Sequence, residues 1–207
     1  THGDAFDERE KAQDLGSSTG KILRLTETGG VPSDNPFVNQ SGVQPEIFSY
    51  GHRNAQAVVY DPQSNRIYTH EHGPRGGDEL NLMRPGVNYG WPAITYGIDY
   101  SGAKITPYTS LPGMEQPLIY WDPSIAPSGM TLYQGDMFPE WQGDLFMTSL
   151  RFKNVYQVEM QDGQPGTQQT LFEDINERLR DIRTAPDGSL YILAEGKSGT
   201  IWQVLRK

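Results

Sequence analysis

Two groups of residues in this chain have types and spacing suited to chemistry. The first lies in residues 68–91, YTHEHGPRGGDELNLMRPGVNYGW, where Gly73-Pro74 and Gly76-Gly77 come just before Asp78 and Glu79. Glycine permits positive φ and close approach, and proline removes a donor, so this backbone is expected to turn carbonyls outward. Carbonyl and carboxylate oxygens are what a hard cation such as calcium takes. A tight loop whose acids are simply solvated uses the same residues, and that alternative stays open here. The second group is cationic: Arg53 and Asn54 in GHRN, Arg151 in LRFK, and Arg178 and Arg180 in RLRDIR. A guanidinium offers a planar fork to a carboxylate, and an asparagine both donates and accepts. Each of these also has an ordinary reading as a turn residue or a solvated strand residue. Asp4, after Gly3, is a carboxylate at an expected strand end, with a turn acid as its alternative.

The elements that must position these residues read as short strands. Alternation of apolar and polar residues predicts strands over 21–25, 46–50, 57–60, 66–70, 80–83, 118–121, 130–133, 145–149, 154–159, 169–173, 178–183, 189–194 and 200–205. A Gln/Gly/Pro linker is expected before residue 169. Residues 92–116 carry Tyr96, Tyr100 and Tyr108 among glycines and prolines, and a loop that long in a compact domain is usually functional or disordered. Its tyrosines argue for function. Trp121 is either a core anchor or a flat wall for a planar ligand.

Three stretches share one design: RNAQAVVYDPQSNRIYTHEHG, GMTLYQGDMFPEWQGDLFMTSL and LRDIRTAPDGSLYILAEGKSG. Each has an apolar strand, a turn of Asp, Pro, Gly or Asn, a second strand with an aromatic, and then a third strand. The last two recur at roughly the 40 to 50 residue period of propeller blades. With no amphipathic helix evident, the fold class is all-β and the architecture a β-propeller. In such a ring, loops from one face of several blades meet at the axis, so Arg53, the Gly73 turn, Arg151, Arg178 and Arg180 are expected to converge. Together they would bind a ligand with several carboxylates through charge-assisted forks. An adjacent calcium would polarise ligand oxygens. A polycarboxylate with quinone oxygens meets both demands.

Composition narrows the partners. The chain has 207 residues, enough for one all-β domain, with 35% hydrophobic and 11% aromatic residues. A net charge of −9 argues against nucleic acid, whose binding rests on counterion release by basic residues. There is no cysteine, so disulfides and thiolate metal sites are excluded. No apolar run reaches the length of a membrane span, and Thr1 opens no signal-peptide pattern.

GKILRL, YGHRNAQ, EHGPRGGDELN, NYGWP, DPSIAPSG, TSLRFK, RLRDIR and PDGSLYIL run in order along nearly the whole chain. In this order they resemble the soluble quinoprotein glucose and aldose sugar dehydrogenases, six-bladed propellers that use pyrroloquinoline quinone (PQQ) and calcium. The resemblance implies oxidation of the C1 hydroxyl of an aldose to a lactone by hydride transfer to PQQ, with electrons passed to an external acceptor. It implies that Arg53, Asn54, His72, Asp78, Trp121, Ser124, Arg151, Arg178 and Arg180 line the cofactor. By the same resemblance Gly73 and Pro74 offer carbonyls to the calcium that also binds PQQ, while Glu79 and Tyr89, the latter through its carbonyl, hold a structural calcium. The spacing between Trp121 and the APS that follows differs by a residue from some relatives.

The family's general base is a histidine in an HxGGR-like stretch, which this sequence does not contain. Asp4 resembles the carboxylate that orients that base, and His2 does not match the base. Residues 1–207 are therefore expected to be part of a single propeller domain whose upstream blades are missing, so that the fragment alone is inactive and the remaining blades are required. A periplasmic or secreted location and a possible homodimer are also implied by resemblance. A non-enzymatic ligand-binding propeller of the same ancestry is the alternative; the retained arginines and the Gly-Pro turn favour the enzyme. A calcium-dependent lactone hydrolase would need acidic blade ends, and these are mainly basic.

Overall fold

A computed structural model describes residues 8–196 and 198–207. Asp4 and His2 therefore lie outside the described residues. Among the described residues there are thirteen strands and three 3-10 turns, the turns at Arg9–Ala12, Pro139–Trp141 and Glu173–Ile175. The strands, in chain order, are β1 (Lys21–Leu23), β2 (Ile47–Tyr50), β3 (Ala55–Asp61), β4 (Arg66–Glu71), β5 (Asp78–Met83), β6 (Ile119–Trp121), β7 (Pro127–Leu132), β8 (Leu145–Ser149), β9 (Val155–Gln161), β10 (Gln164–Leu171), β11 (Arg178–Thr184), β12 (Leu190–Glu195) and β13 (Thr200–Val204). Within every sheet, strands adjacent in space are adjacent in sequence: β1-β2, β3 to β6, β7 to β10, and β11 to β13. Each repeated stretch is thus a hairpin whose third strand joins its sheet, as β5, β9 and β13 do.

The chain divides into two compact units, one of residues 1–55 with 71–124 and one of residues 56–70 with 125–207. In the first, β1 and β2 pair antiparallel with Lys21 opposite Tyr50 and Leu23 opposite Ile47. β5 and β6 pair with Asp78 opposite Trp121 and Leu80 opposite Ile119. Lys21 is buried, and its ammonium donates to the carbonyls of Lys11 at 2.8 Å, Ala12 at 3.0 Å and Thr19 at 2.7 Å. Burial lowers its pKa to about 8, against a smaller upward pull from the charge of Asp14. The tyrosine-rich arm, residues 92–116, contains no strand. It is tied down by reciprocal backbone bonds between Arg75 and Ile98, at 2.9 and 3.1 Å, and by a parallel stack of Tyr96 on Tyr120 at 3.9 Å.

In the second unit, β7 to β10 form a complete four-stranded antiparallel meander, and β11 to β13 a three-stranded one. Residues of β8, β9, β11 and β12, with Tyr133 just after β7, meet in an apolar core that includes Tyr133, Phe146, Val155, Leu179, Ile182, Leu190 and Ile192, all fully buried. Tyr133 keeps its hydroxyl satisfied there: it donates to the Gly188 carbonyl at 2.7 Å and accepts from the Phe138 amide at 3.0 Å. Gly129 sits where a Cβ would come 2.4 Å from the Cα of Asp181, which lets β7 and β11 approach closely. The expected linker before residue 169 is instead the first part of β10, an edge strand whose end falls within the strand expected over 169–173. Its run QPGTQQTL is nearly all exposed, so it has no buried face to reveal it by alternation, and Pro165 is tolerated because an edge strand can leave one side unpaired.

Candidate functional site

The site is built where β2 ends and β4 ends. After Tyr50 the chain turns through Gly51, at φ 76°, into His52-Arg53-Asn54. A Cβ on Gly51 would come within 2.2 Å of Asn88 Oδ1 and 2.6 Å of the Gly90 nitrogen, so the turn requires glycine. The last residue of β4, Glu71, is buried beneath this bend. Its Oε2 accepts the backbone N–H of Arg53 at 2.6 Å and of Asn54 at 3.3 Å. Its Oε1 meets Nδ1 of His52 at 3.0 Å and accepts from Nδ2 of Asn81 at 3.3 Å. Burial by itself would raise the pKa of Glu71, but the charge and hydrogen bond of His52 and the two amides outweigh it, and the net shift is downward.

Arg53 is buried although charged. Its Nη1 donates to the His72 carbonyl at 2.9 Å, and its guanidinium lies 5.5 Å from the centre of the Trp91 ring. The amide of His72 in turn donates to the Asn54 carbonyl at 3.0 Å. His52 is held by Ser49 Oγ, 2.8 Å from Nε2, and stacks on the Tyr89 ring at 4.8 Å. Tyr89 is fixed by its own hydroxyl, which donates to Leu82 at 2.6 Å and accepts from the Arg84 amide at 3.0 Å.

The Gly73-Pro74 turn follows directly. The Gly73 amide donates to Asp78 Oδ1 at 2.9 Å, and Asp78 Oδ2 accepts from Ser124 Oγ at 2.7 Å. The turn is too tight for any side chain at Gly73, whose Cβ would lie 2.2 Å from the Gly76 carbonyl oxygen. Gly77, at φ 71°, donates to the Trp121 carbonyl at 2.8 Å. Among the described residues, nothing donates to the carbonyls of Gly73 and Pro74. Arg53, His72, Gly73, Pro74, Glu79 and Tyr89 line one pocket.

Burial, with the charges of Glu71 and Asp78, pushes the Glu79 carboxyl up to about 8 against the opposing bond from Asn81. Asn81 reaches Glu79 Oε2 at 3.2 Å, and its own buried Oδ1 has no hydrogen-bond partner. Carbonyls that accept no hydrogen bond, a carboxyl crowded by like charge and an amide oxygen without a partner among the described residues are each oxygens of the hard kind that calcium takes. Among the described residues no group of three or more His, Asp or Glu side chains is placed to hold a metal, so the backbone must supply much of any such site.

Of the residues singled out from sequence, Arg53, Asn54, His72, Gly73, Pro74, Asp78, Glu79, Tyr89, Trp121 and Ser124 all belong to the first unit. Trp121 is buried, its backbone tied to Gly77. Arg151, Arg178 and Arg180 belong to the second unit. Arg151 lies at the tip between β8 and β9, its guanidinium 5.2 Å from the Phe152 ring centre, beside Lys153 at φ 60°. Arg178 and Arg180 share one face of β11, as the alternation requires, while Leu179 is fully buried on the other. Both are exposed and reach Glu195, at 3.3 and 2.7 Å. Glu71, His52 and Asn81 were not singled out from sequence. The visible sign for Glu71 was an acid ending an otherwise strand-like run one residue before His72.

A family model described as Glucose / Sorbosone dehydrogenase matches residues 1–203. The chain belongs to that family. It is 45% identical over 199 residues to the aldose sugar dehydrogenase YliI of Escherichia coli, covering 95% of this chain and 54% of that protein. It is 27% identical over 243 residues to quinoprotein glucose dehydrogenase B of Acinetobacter calcoaceticus, covering 88% and 49%. The solved PQQ-bound aldose sugar dehydrogenase of Streptomyces coelicolor superposes with a TM-score of 0.72 at 28% identity, over 94% of this chain and 54% of that one. The chain thus spans about half the length of these relatives. The expected all-β fold holds, with its sheets as blades of the family's β-propeller.

Proposed function

We propose that the protein to which this chain belongs is a PQQ- and calcium-dependent dehydrogenase that oxidises the C1 hydroxyl of aldose sugars to lactones. The observation that carries this reading is the pairing of a buried, oriented Arg53 with the adjacent Gly73-Pro74 turn, whose carbonyls are unspent. A guanidinium lining a pocket suits an anionic ligand, to which it offers a planar fork. Carbonyls left without donors call for a cation. Bound PQQ would supply the two-electron acceptor for the sugar hydride. Arg53 and Asn54 would take its carboxylates, and Arg151, Arg178 and Arg180 are the further cofactor-binding residues that the family resemblance implies. His72, Trp121 and Ser124 would flank the ring, and Asp78 would hold the turn in shape. Gly73 and Pro74 would ligate the calcium at the cofactor, and Glu79 with the Tyr89 carbonyl a structural one.

On this reading the sugar hydroxyl proton goes to a histidine supplied from outside this sequence and oriented by Asp4. Electrons then pass to an external acceptor, the 207-residue chain by itself turns over no sugar, and the protein works in the periplasm or as a secreted enzyme. Spectrophotometric titration of the full-length protein with PQQ, with and without calcium, is the test. Saturable binding that needs calcium is expected, and no saturable binding would sink the reading. Aldose oxidation by the purified 207-residue chain with PQQ and calcium would refute the dependence on further blades.

A further inference from the structure

We propose that Glu71 is the positioning residue of the ligand clamp, taking the consecutive backbone N–H groups of Arg53 and Asn54 and so setting where both side chains are presented to the cofactor. The inference rests on the function proposed above. Residues 51–54 lie between β2 and β3 and belong to no strand; the amides of Gly51 and His52 donate to the carbonyls of Ala12 and Gly20 at 3.0 and 3.1 Å, whereas those of Arg53 and Asn54 go to Glu71. The two amides that decide the direction of Arg53 and Asn54 both end on one carboxylate oxygen, at 2.6 and 3.3 Å. The other oxygen is tied to His52 and Asn81, at 3.0 and 3.3 Å, and this stops the carboxylate from rotating.

His52 is itself clamped between Ser49 and the Tyr89 ring, so the anchor has little freedom to follow a displaced bend. Arg53 is then held at both ends. Glu71 fixes its backbone, while the His72 carbonyl and the Trp91 face fix its guanidinium. A buried carboxylate is costly unless its lone pairs are taken by donors, and here every identified donor serves the bend or β5. A group that holds a ligand-binding side chain in one geometry before the ligand arrives lowers the ordering cost of binding.

The test uses the full-length protein and equilibrium PQQ titration at fixed calcium, read by the cofactor's absorbance, with Glu71→Ala, Glu71→Gln, Glu71→Asp, Arg53→Ala and the double variant Glu71→Ala/Arg53→Ala. Glu71→Ala is expected to weaken PQQ binding by about 10- to 100-fold, the scale of losing hydrogen bonds to a charged group. Glu71→Gln, which keeps an acceptor oxygen in reach of both amides, should recover most of that loss. Glu71→Asp, which keeps the charge but falls short by one methylene, should not. Because Glu71 acts through Arg53 as well as Asn54, the double variant should lose clearly less affinity than the sum of the two single losses, since coupled residues are not additive. Binding by Glu71→Ala at the unaltered affinity, or fully additive losses, would overturn the inference while leaving the functional reading intact. Should Glu71→Ala not fold, Gln and Asp variants of equal affinity would overturn it. Failure of the unaltered protein to bind PQQ overturns the functional reading, and this inference with it.

Discussion

The two units spend their buried interior differently. The second holds an apolar cluster from β8, β9, β11 and β12 with Tyr133, and buried polar groups there pair with one another, as Ser128 does with Thr148 at 2.8 Å and Gln157 with Asp144 at 2.7 Å. The first buries Arg53, His52, Glu71, Asp78, Asn81 and Lys21. Apolar burial is non-directional and tolerates approximate shape. A buried polar network is stable only when each donor meets an acceptor, and it therefore enforces geometry. The contrast places structural strength in one unit and chemical definition in the other.

Substitutions can break that contrast. The largest stability loss is expected in the apolar unit: Phe146→Ala should cost about 3–5 kcal/mol through its cavity, read as a lower urea midpoint. Asp78→Ala is expected to cost less, about 1–3 kcal/mol, by stranding the buried Gly73 amide, yet to abolish calcium-dependent PQQ binding where Phe146→Ala, if still folded, leaves it. Comparable PQQ affinity in the two variants would erase the distinction.

A pH series sharpens the same comparison. The folded pKa of Lys21 is near 8, below its ordinary value of 10.5. Between those values the unfolded chain holds more protons, so this group's contribution to stability rises as pH rises through that window. Lys21→Met should remove the rise, seen as a difference between the two proteins' unfolding midpoints that changes from pH 8 to pH 10.5. A constant difference across the window would contradict it. The smallest stability effect belongs to Arg178→Ala: its pair with Glu195 is exposed, and exposed pairs contribute little. Its unfolding midpoint should not move measurably, whereas PQQ affinity should fall if the arginine serves the clamp.

The same contrast explains what could be read in advance. β8 was legible to the residue and β11 to within one, because their apolar residues alternate or run together and turns bound them. β10 was legible only at its end, residues 169–171, since the rest of an exposed edge strand of Gln, Thr and Gly resembles a linker. At the site, Arg53, Asn54, Gly73, Pro74, Asp78 and Glu79 stood out because their residue types in a glycine-rich bend are unusual. Glu71 did not, because an acid at a strand end takes its meaning from amides at positions 53 and 54, and only the fold brings those to it. Arg178 and Arg180 were legible as a shared face but not as partners of Glu195, which comes from the pairing of β11 with β12.

The contact between Gly97 and the Gly73 turn has one more implication. A Cβ on Gly97 would lie 2.3 Å from the Gly76 carbonyl oxygen and 2.9 Å from the Pro74 ring. At its root the arm's backbone therefore lies directly against the Gly76 carbonyl and the Pro74 ring, like a buttress set against a wall without mortar. Further out, Gly102 and Gly113 have open space around them. Evolution is free to lengthen, shorten or recolour the outer arm and to explore new contacts there, while any drift at its foot is felt at once by the carbonyls of Gly73 and Pro74.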